Sequence, residues 1–208
     1  MASQTPASWG NVAVQHRPPW IWSSNANVHV AKNLSWFEDD YLPISSYYTD
    51  TLQNQSTRIV GIGTVILPTR SHPNNLLREY NENIVLHNVL HAPEAHFNLI
   101  GRPLLEEYQV TTHNGGETPS YISRISDGET VAFFKPLGTN ITEFELQLNC
   151  HRRFYETGHP PLPPYEVNIL QAYWPAKEQE NVEATLQRIL PIQRPINQTH
   201  GKFFQDRG

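Results

Sequence analysis

Trp20-Ile21-Trp22-Ser23-Ser24-Asn25-Ala26-Asn27-Val28-His29-Val30 is the stretch on which the fold turns. Three apolar residues stop at three small polar ones, Ser23, Ser24 and Asn25, and the chain resumes as polar–apolar alternation through Val28 and Val30. Strand, small polar elbow, strand is how all-β proteins carry a loop to a functional surface. The alternation predicts strands over Trp20–Trp22 and Asn27–Ala31, with the elbow displayed between them.

Downstream, Asn33 is a candidate cap for a short turn holding Leu34, Trp36 and Phe37. Glu38-Asp39-Asp40 reads as a solvated acidic loop. Strands are expected over Ile44–Leu52 and Thr57–Leu67, the second carrying Gly61 and Gly63 on one face, where it either bends at a corner or forms a flap. Pro68–Glu82 is polar and reads as a loop insertion. Asn83–Ala92 is a further strand with a bulge at Asn88, and Pro103 starts a helical turn with Leu104 and Leu105 inward. Short strands follow at Tyr108–Thr112, Tyr121–Ile125, Thr130–Lys135 and Ile141–Leu148, with Ser126-Asp127-Gly128 as a hairpin turn.

Past Cys150 the composition changes. Pro160-Pro161-Leu162-Pro163-Pro164 is a stiff spacer. Pro175 then opens a helix over Ala176–Leu190 with Val182, Leu186, Ile189 and Leu190 on one stripe. The division expected is a disordered arm at 1–17, a β domain at 18–150, and spacer, helix and tail at 151–208. The fold class is mainly β, a small closed or partly closed barrel with one short helix and a C-terminal helical extension.

Composition removes several classes of function. A net charge of −5 gives no electrostatic footprint for nucleic acid or an anionic membrane, so neither is expected as a partner. A single cysteine, Cys150, excludes an intrachain disulfide framework. No apolar run reaches the ~18 residues of a membrane span and no leader pattern opens the chain, so an intracellular, cytoplasmic location is the expectation. His87, His91 and His96 invite a metal, but the segment reads as a strand, without His-Glu-x-x-His or a Cys partner; solvated or capping histidines are expected, with no metal and no cofactor.

With these residues in place, the chain resembles the protease-like β-barrel domain of copia-type retrotransposon Pol polyproteins, itself similar to retroviral aspartic proteases. Trp20, Ile21 and Trp22 match the lead-in to that family's Asp-Ser-Gly-Ala motif. Ser24 and Ala26 match its second and fourth positions, and His29 matches a following histidine. Gly61-Ile62-Gly63-Thr64-Val65, Asn88-Val89-Leu90-His91-Ala92-Pro93 and Asn98-Leu99-Ile100 match in order over residues 18 to 110, with weaker similarity to about 148. The sequence also looks like stand-alone fungal proteins in which a Trp-Pro helix follows the strands. Leu99-Ile100-Gly101-Arg102 resembles the stretch packed near the active-site loop of retroviral proteases.

The resemblance implies a retropepsin-like barrel whose acid position is Ser23 and whose glycine position is Asn25. Aspartic proteases share a proton between two carboxylates, one from each half of a dimer, and a serine cannot replace either. The implied protein is a pseudo-protease without a catalytic residue. Asp39, Asp40 and Asp50 lie in segments with no motif around them. Candidate binding residues are His29, Gly61, Gly63 and Arg102, and Ser24 is a candidate brace of the elbow. Three functions remain open: an inactive retrotransposon-derived barrel, a protein-interaction module that dimerises through the barrel, and a residual hydrolase using Ser23 with His29.

Overall fold

β1 (Trp20–Trp22) is buried on both faces, so its main chain needs a neighbour on each edge. In the computed structural model it has both. The structure describes residues 18–50, 55–73, 77–113, 118–135, 144–149 and 171–193, without the side chains of Asp50, Arg78 and 189–193. The remaining strands are β2 (Val30–Ala31), β3 (Leu42–Asp50), β4 (Gln55–Arg70), β5 (Asn81–His91), β6 (Asn98–Ile100), β7 (Tyr108–Thr111), β8 (Tyr121–Arg124), β9 (Thr130–Phe133) and β10 (Phe144–Glu145), followed by helix α1 (Ala176–Gln193). Seven strands form one sheet in the order β10-β1-β6-β2-β5-β4-β3, and β7-β8-β9 form a second.

β6 lies parallel to β1 and antiparallel to β2, so the two strands flanking the elbow are held by one partner between them. Asn98 at the start of β6, fully buried, fastens this centre. Its side chain accepts the Lys32 N–H at 2.9 Å and donates to the Pro18 carbonyl at 2.6 Å.

The protein is mainly β, but the two sheets do not close into a barrel. They meet at the isolated bridge Phe134↔Leu146 and through side chains, among them Thr69 Oγ1 donating to the Val131 carbonyl at 2.7 Å. Trp20, Trp36, Leu67, Ile84, Ile122 and Phe134 fill the space between them. A second cluster, including Val30, Tyr48, Ile59, Ile62 and Leu90, packs against Trp174, Val182 and Leu186. α1 therefore covers part of the sheet, and its Val182/Leu186 pair is the buried stripe; the side chains of Ile189 and Leu190 lie outside the described residues.

Several expectations are corrected. The loop expected over 68–82 is shorter at both ends: β4 and β5 continue pairing to Arg70↔Asn81, because Leu67 and Ile84 still have core to bury, and the connection is 71–80. The second elbow strand is only Val30–Ala31, since Asn27 is bonded elsewhere. The short helix at Pro103 is a 3-10 turn (Arg102–Glu106) with Leu104 buried and Leu105 41% exposed; its tighter wind sends adjacent side chains apart. Asn33 makes no side-chain cap; its carbonyl accepts the Trp36 N–H. α1 runs three residues past Leu190, to Gln193. The arm at 1–17, Cys150, the proline spacer and the tail from 194 lie outside the described residues.

The bulge at Asn88 is present. β4 advances two residues from Gly63 to Val65 while β5 advances three from Leu86 to Val89, and Asn88 takes φ 54°, a left-handed value asparagine tolerates better than most side chains.

Candidate functional site

The elbow begins where β1 runs out of partners: the Ser23 N–H donates to the Ile100 carbonyl at 2.9 Å, and the chain then turns. The Ser23 hydroxyl is buried and points back into the turn, accepting the Asn25 N–H at 3.2 Å. This is the side-chain-to-backbone bond with which serine stabilises tight turns. Ser24 and Asn25 form the exposed tip, and Ala26 is buried again. The elbow carries no carboxylate.

Gly101 and Arg102 close the loop from below. The Arg102 N–H donates to the Ala26 carbonyl at 2.8 Å, whereas the Arg102 guanidinium is exposed. Gly101 donates its N–H to Nδ1 of His29 at 3.0 Å. A side chain at 101 would be driven into the Val28 carbonyl and would sit 3.0 Å from the Ala26 oxygen. Glycine is required there for space, since its φ of −92° is open to any residue.

His29 is therefore buried under the elbow with one nitrogen already accepting a hydrogen bond. Burial, helped by the neighbouring His87, holds its pKa down to about 3. Its ring is neutral near pH 7, and the Nδ1 lone pair is used structurally, which leaves it poorly suited to take a proton from Ser23. The sign of the pH effect follows from the lowered pKa. Above about pH 6.5 the folded and unfolded rings are both neutral; as pH falls toward 3 only the unfolded chain binds the proton, so stability drops by up to about 1.4 kcal/mol per pH unit. His29→Gln, which offers an amide oxygen to Gly101 without titrating, should flatten urea midpoints measured between these limits by about one proton. An unchanged slope would show that His29 is not buried neutral.

Gly61 and Gly63 do not line an open groove. A Cβ on Gly61 would collide with the Tyr41 ring, and one on Gly63 would meet Tyr41 Cα at 3.0 Å and Phe37 at 3.2 Å. The two glycines let the 37–41 segment lie flat on β4, which favours the covered corner over a flap. The acidic loop before Tyr41 is correspondingly more than solvated: Asp40 accepts the Thr64 N–H at 2.9 Å and the Thr64 hydroxyl at 2.6 Å.

His91 is also not solvated. It is buried, and its Nδ1 meets the Tyr41 hydroxyl at 2.9 Å. Burial lowers its pKa, against a hydrogen bond with the Lys32 main chain that raises it. His87 and His96 are exposed, and among the described residues no three His, Cys, Asp or Glu side chains are placed to hold a metal ion.

No local pattern marks what lies beside the elbow. Asn27, two residues beyond its tip, binds the C-terminal segment that precedes α1. Its backbone N–H donates to the Ala172 carbonyl at 3.0 Å. Its side chain accepts the Trp174 N–H at 2.8 Å and donates to the Trp174 carbonyl at 3.0 Å. Tyr173 and Thr49 exchange both main-chain hydrogen bonds at 2.9 Å, extending the sheet beyond β3. Trp174 is 2% exposed and its indole N–H donates at 3.0 Å to Ser46 Oγ, which in turn donates to Glu178 at 2.8 Å. The Trp-Pro pair ahead of a helix was visible in the sequence; its partners, 128 and 147 positions away, were not.

Residues 20–110 match a protein family described as the beta-barrel domain of Pol polyproteins. The match covers the elbow, β1 to β6 and the Arg102 turn, and ends within β7. It supports a Pol polyprotein-derived domain for this part of the chain. No curated protein and no solved structure matches. Among the described residues, no helix is long and apolar enough to cross a membrane.

Proposed function

We propose that this chain is a copia-type, aspartic-protease-like domain of retroelement origin that has lost catalysis and serves as a protein-interaction module. Support comes from Ser23. It stands at the elbow position where such a protease needs its carboxylate, and its hydroxyl is bound into the turn at 3.2 Å from the Asn25 N–H. Without a pair of carboxylates sharing one proton there is no group to activate water and none to protonate the leaving amine. Asp40 is already engaged, accepting both the N–H and the hydroxyl of Thr64 on β4. A hydrolase using Ser23 with His29 is disfavoured by the occupied Nδ1 and lowered pKa of the imidazole.

The test is hydrolysis itself. Purified full-length protein incubated with casein and a peptide panel from about pH 3 to pH 7 should leave every substrate intact, with folding checked by circular dichroism at each pH. Pepstatin-sensitive cleavage at any pH at which the chain is folded would overturn the loss of catalysis. Labelling by a fluorophosphonate probe that disappears in Ser23→Ala would do so in favour of the serine route.

A further inference from the structure

Ala172-Tyr173-Trp174 is held as an extended peptide is held in strand-addition complexes, by main-chain hydrogen bonds with one side chain anchored in a pocket. Thr49 supplies the paired strand, and Asn27 clamps both sides of Trp174 through its N–H and its carbonyl. Ser46 receives the indole N–H at the bottom of the pocket. Ala172 is 1% exposed, Tyr173 47% and Trp174 2%, so the seat favours a small residue first, leaves the next free and buries a large aromatic ring third. Pro175 follows and ends the pairing.

We propose that this seat is a peptide-binding site that also takes the Ala172–Trp174 segment, with α1, from a second copy of this chain, giving a segment-exchanged dimer. The seated segment itself establishes the complementarity, and an identical copy brings identical donors, acceptors and indole. None of the contacts requires the segment to belong to the same chain. Residues 150–170 lie between Asn149 and this segment, a length of chain sufficient to reach a neighbouring copy. Exchange buries the same surface as the intrachain arrangement, so concentration decides between them. The partner named here rests on the interaction-module function proposed above. Failure of exchange would leave the absence of hydrolysis untouched, and hydrolysis would leave exchange untouched.

The experiment uses two full-length variants. Asn27→Ala with Ser46→Ala weakens the seat and keeps the segment; Trp174→Ala keeps the seat and removes the anchor. Each should sediment alone as a monomer, and their equimolar mixture should contain a dimer. A mixture that stays monomeric with both chains folded overturns the proposal. Because loss of so buried an indole threatens the fold, a second measurement keeps the wild-type segment. A site-specific protease site replaces residues 160–164, the folded chain is cut, and a fluorescent synthetic peptide spanning residues 169–193 is added. The cut chain should take up this peptide about a hundredfold more tightly than the uncut chain, whose own segment competes at high effective concentration. It should not take up the same peptide with Trp174→Ala. Equal uptake of both peptides, or uptake of neither, overturns the site.

Discussion

Gly101→Ala should lower stability by about 3 kcal/mol or more, the largest effect of a methyl added at any of the described glycines. The added carbon would overlap the Val28 carbonyl, lying 2.7 Å from its carbon and 3.0 Å from the Ala26 oxygen. All of these are main-chain atoms pinned in β2's approach and the elbow, so no side chain can swing aside. Relief requires lifting the 26–29 segment off the 101–102 turn. That breaks the Gly101-to-His29 and Arg102-to-Ala26 hydrogen bonds together, each worth about 1 kcal/mol. Gly128→Ala is the control: Gly128 has a positive φ of 76° but nothing within 4 Å, so it should cost only about 1 kcal/mol of backbone strain. Urea titrations of the two variants separate the effects, and equal losses would refute the steric account.

Trp174→Ala should cost about 3–5 kcal/mol, or roughly 10 °C in melting temperature for a chain of this size. The indole is 2% exposed among Tyr48, Ile59, Val182 and Leu186, and its removal also leaves Ser46 without a donor. The loss should be local at first. Amide exchange at Thr49 and Asn27, whose N–H groups donate to Tyr173 and Ala172, should speed up before exchange at Leu90 and Ser23, which are bonded within the sheet. Uniform acceleration would mean that the segment and the sheet unfold as one unit. Trp174→Phe, which keeps the ring and drops the indole N–H, should recover most of the stability but not the Ser46 contact.

Much of the strand layout follows from local pattern. β1 is a run with no polar face, the elbow is a cluster of small polar residues, and the bulge sits at an asparagine able to take a positive φ. Alternation also marks the core of β4 and β5, but not their ends. Pro68, Thr69 and Arg70 look like a loop by composition, yet they pair with Asn83, Glu82 and Asn81 because the hairpin carries them over the second sheet. The acidic stretch before Tyr41 similarly looks like solvated loop, and only the approach of Thr64 gives Asp40 a partner.

The sequence by itself determined that the chain is mainly β, that an elbow at Ser23-Ser24-Asn25 stands between two apolar segments, and that no carboxylate occupies it. Those are properties of neighbouring residues, and periodicity reports them. Tertiary structure alone decided that His29 is a buried acceptor, that Gly61 and Gly63 are roofed by Tyr41 and Phe37, and that the sheets stay unclosed. It also decided that Asn27 holds Trp174, making the C-terminal segment part of the site. A hydrogen-bond partner or a burial is fixed by whatever the folded chain brings within a few ångströms, and residues far apart in sequence carry no local mark of that meeting.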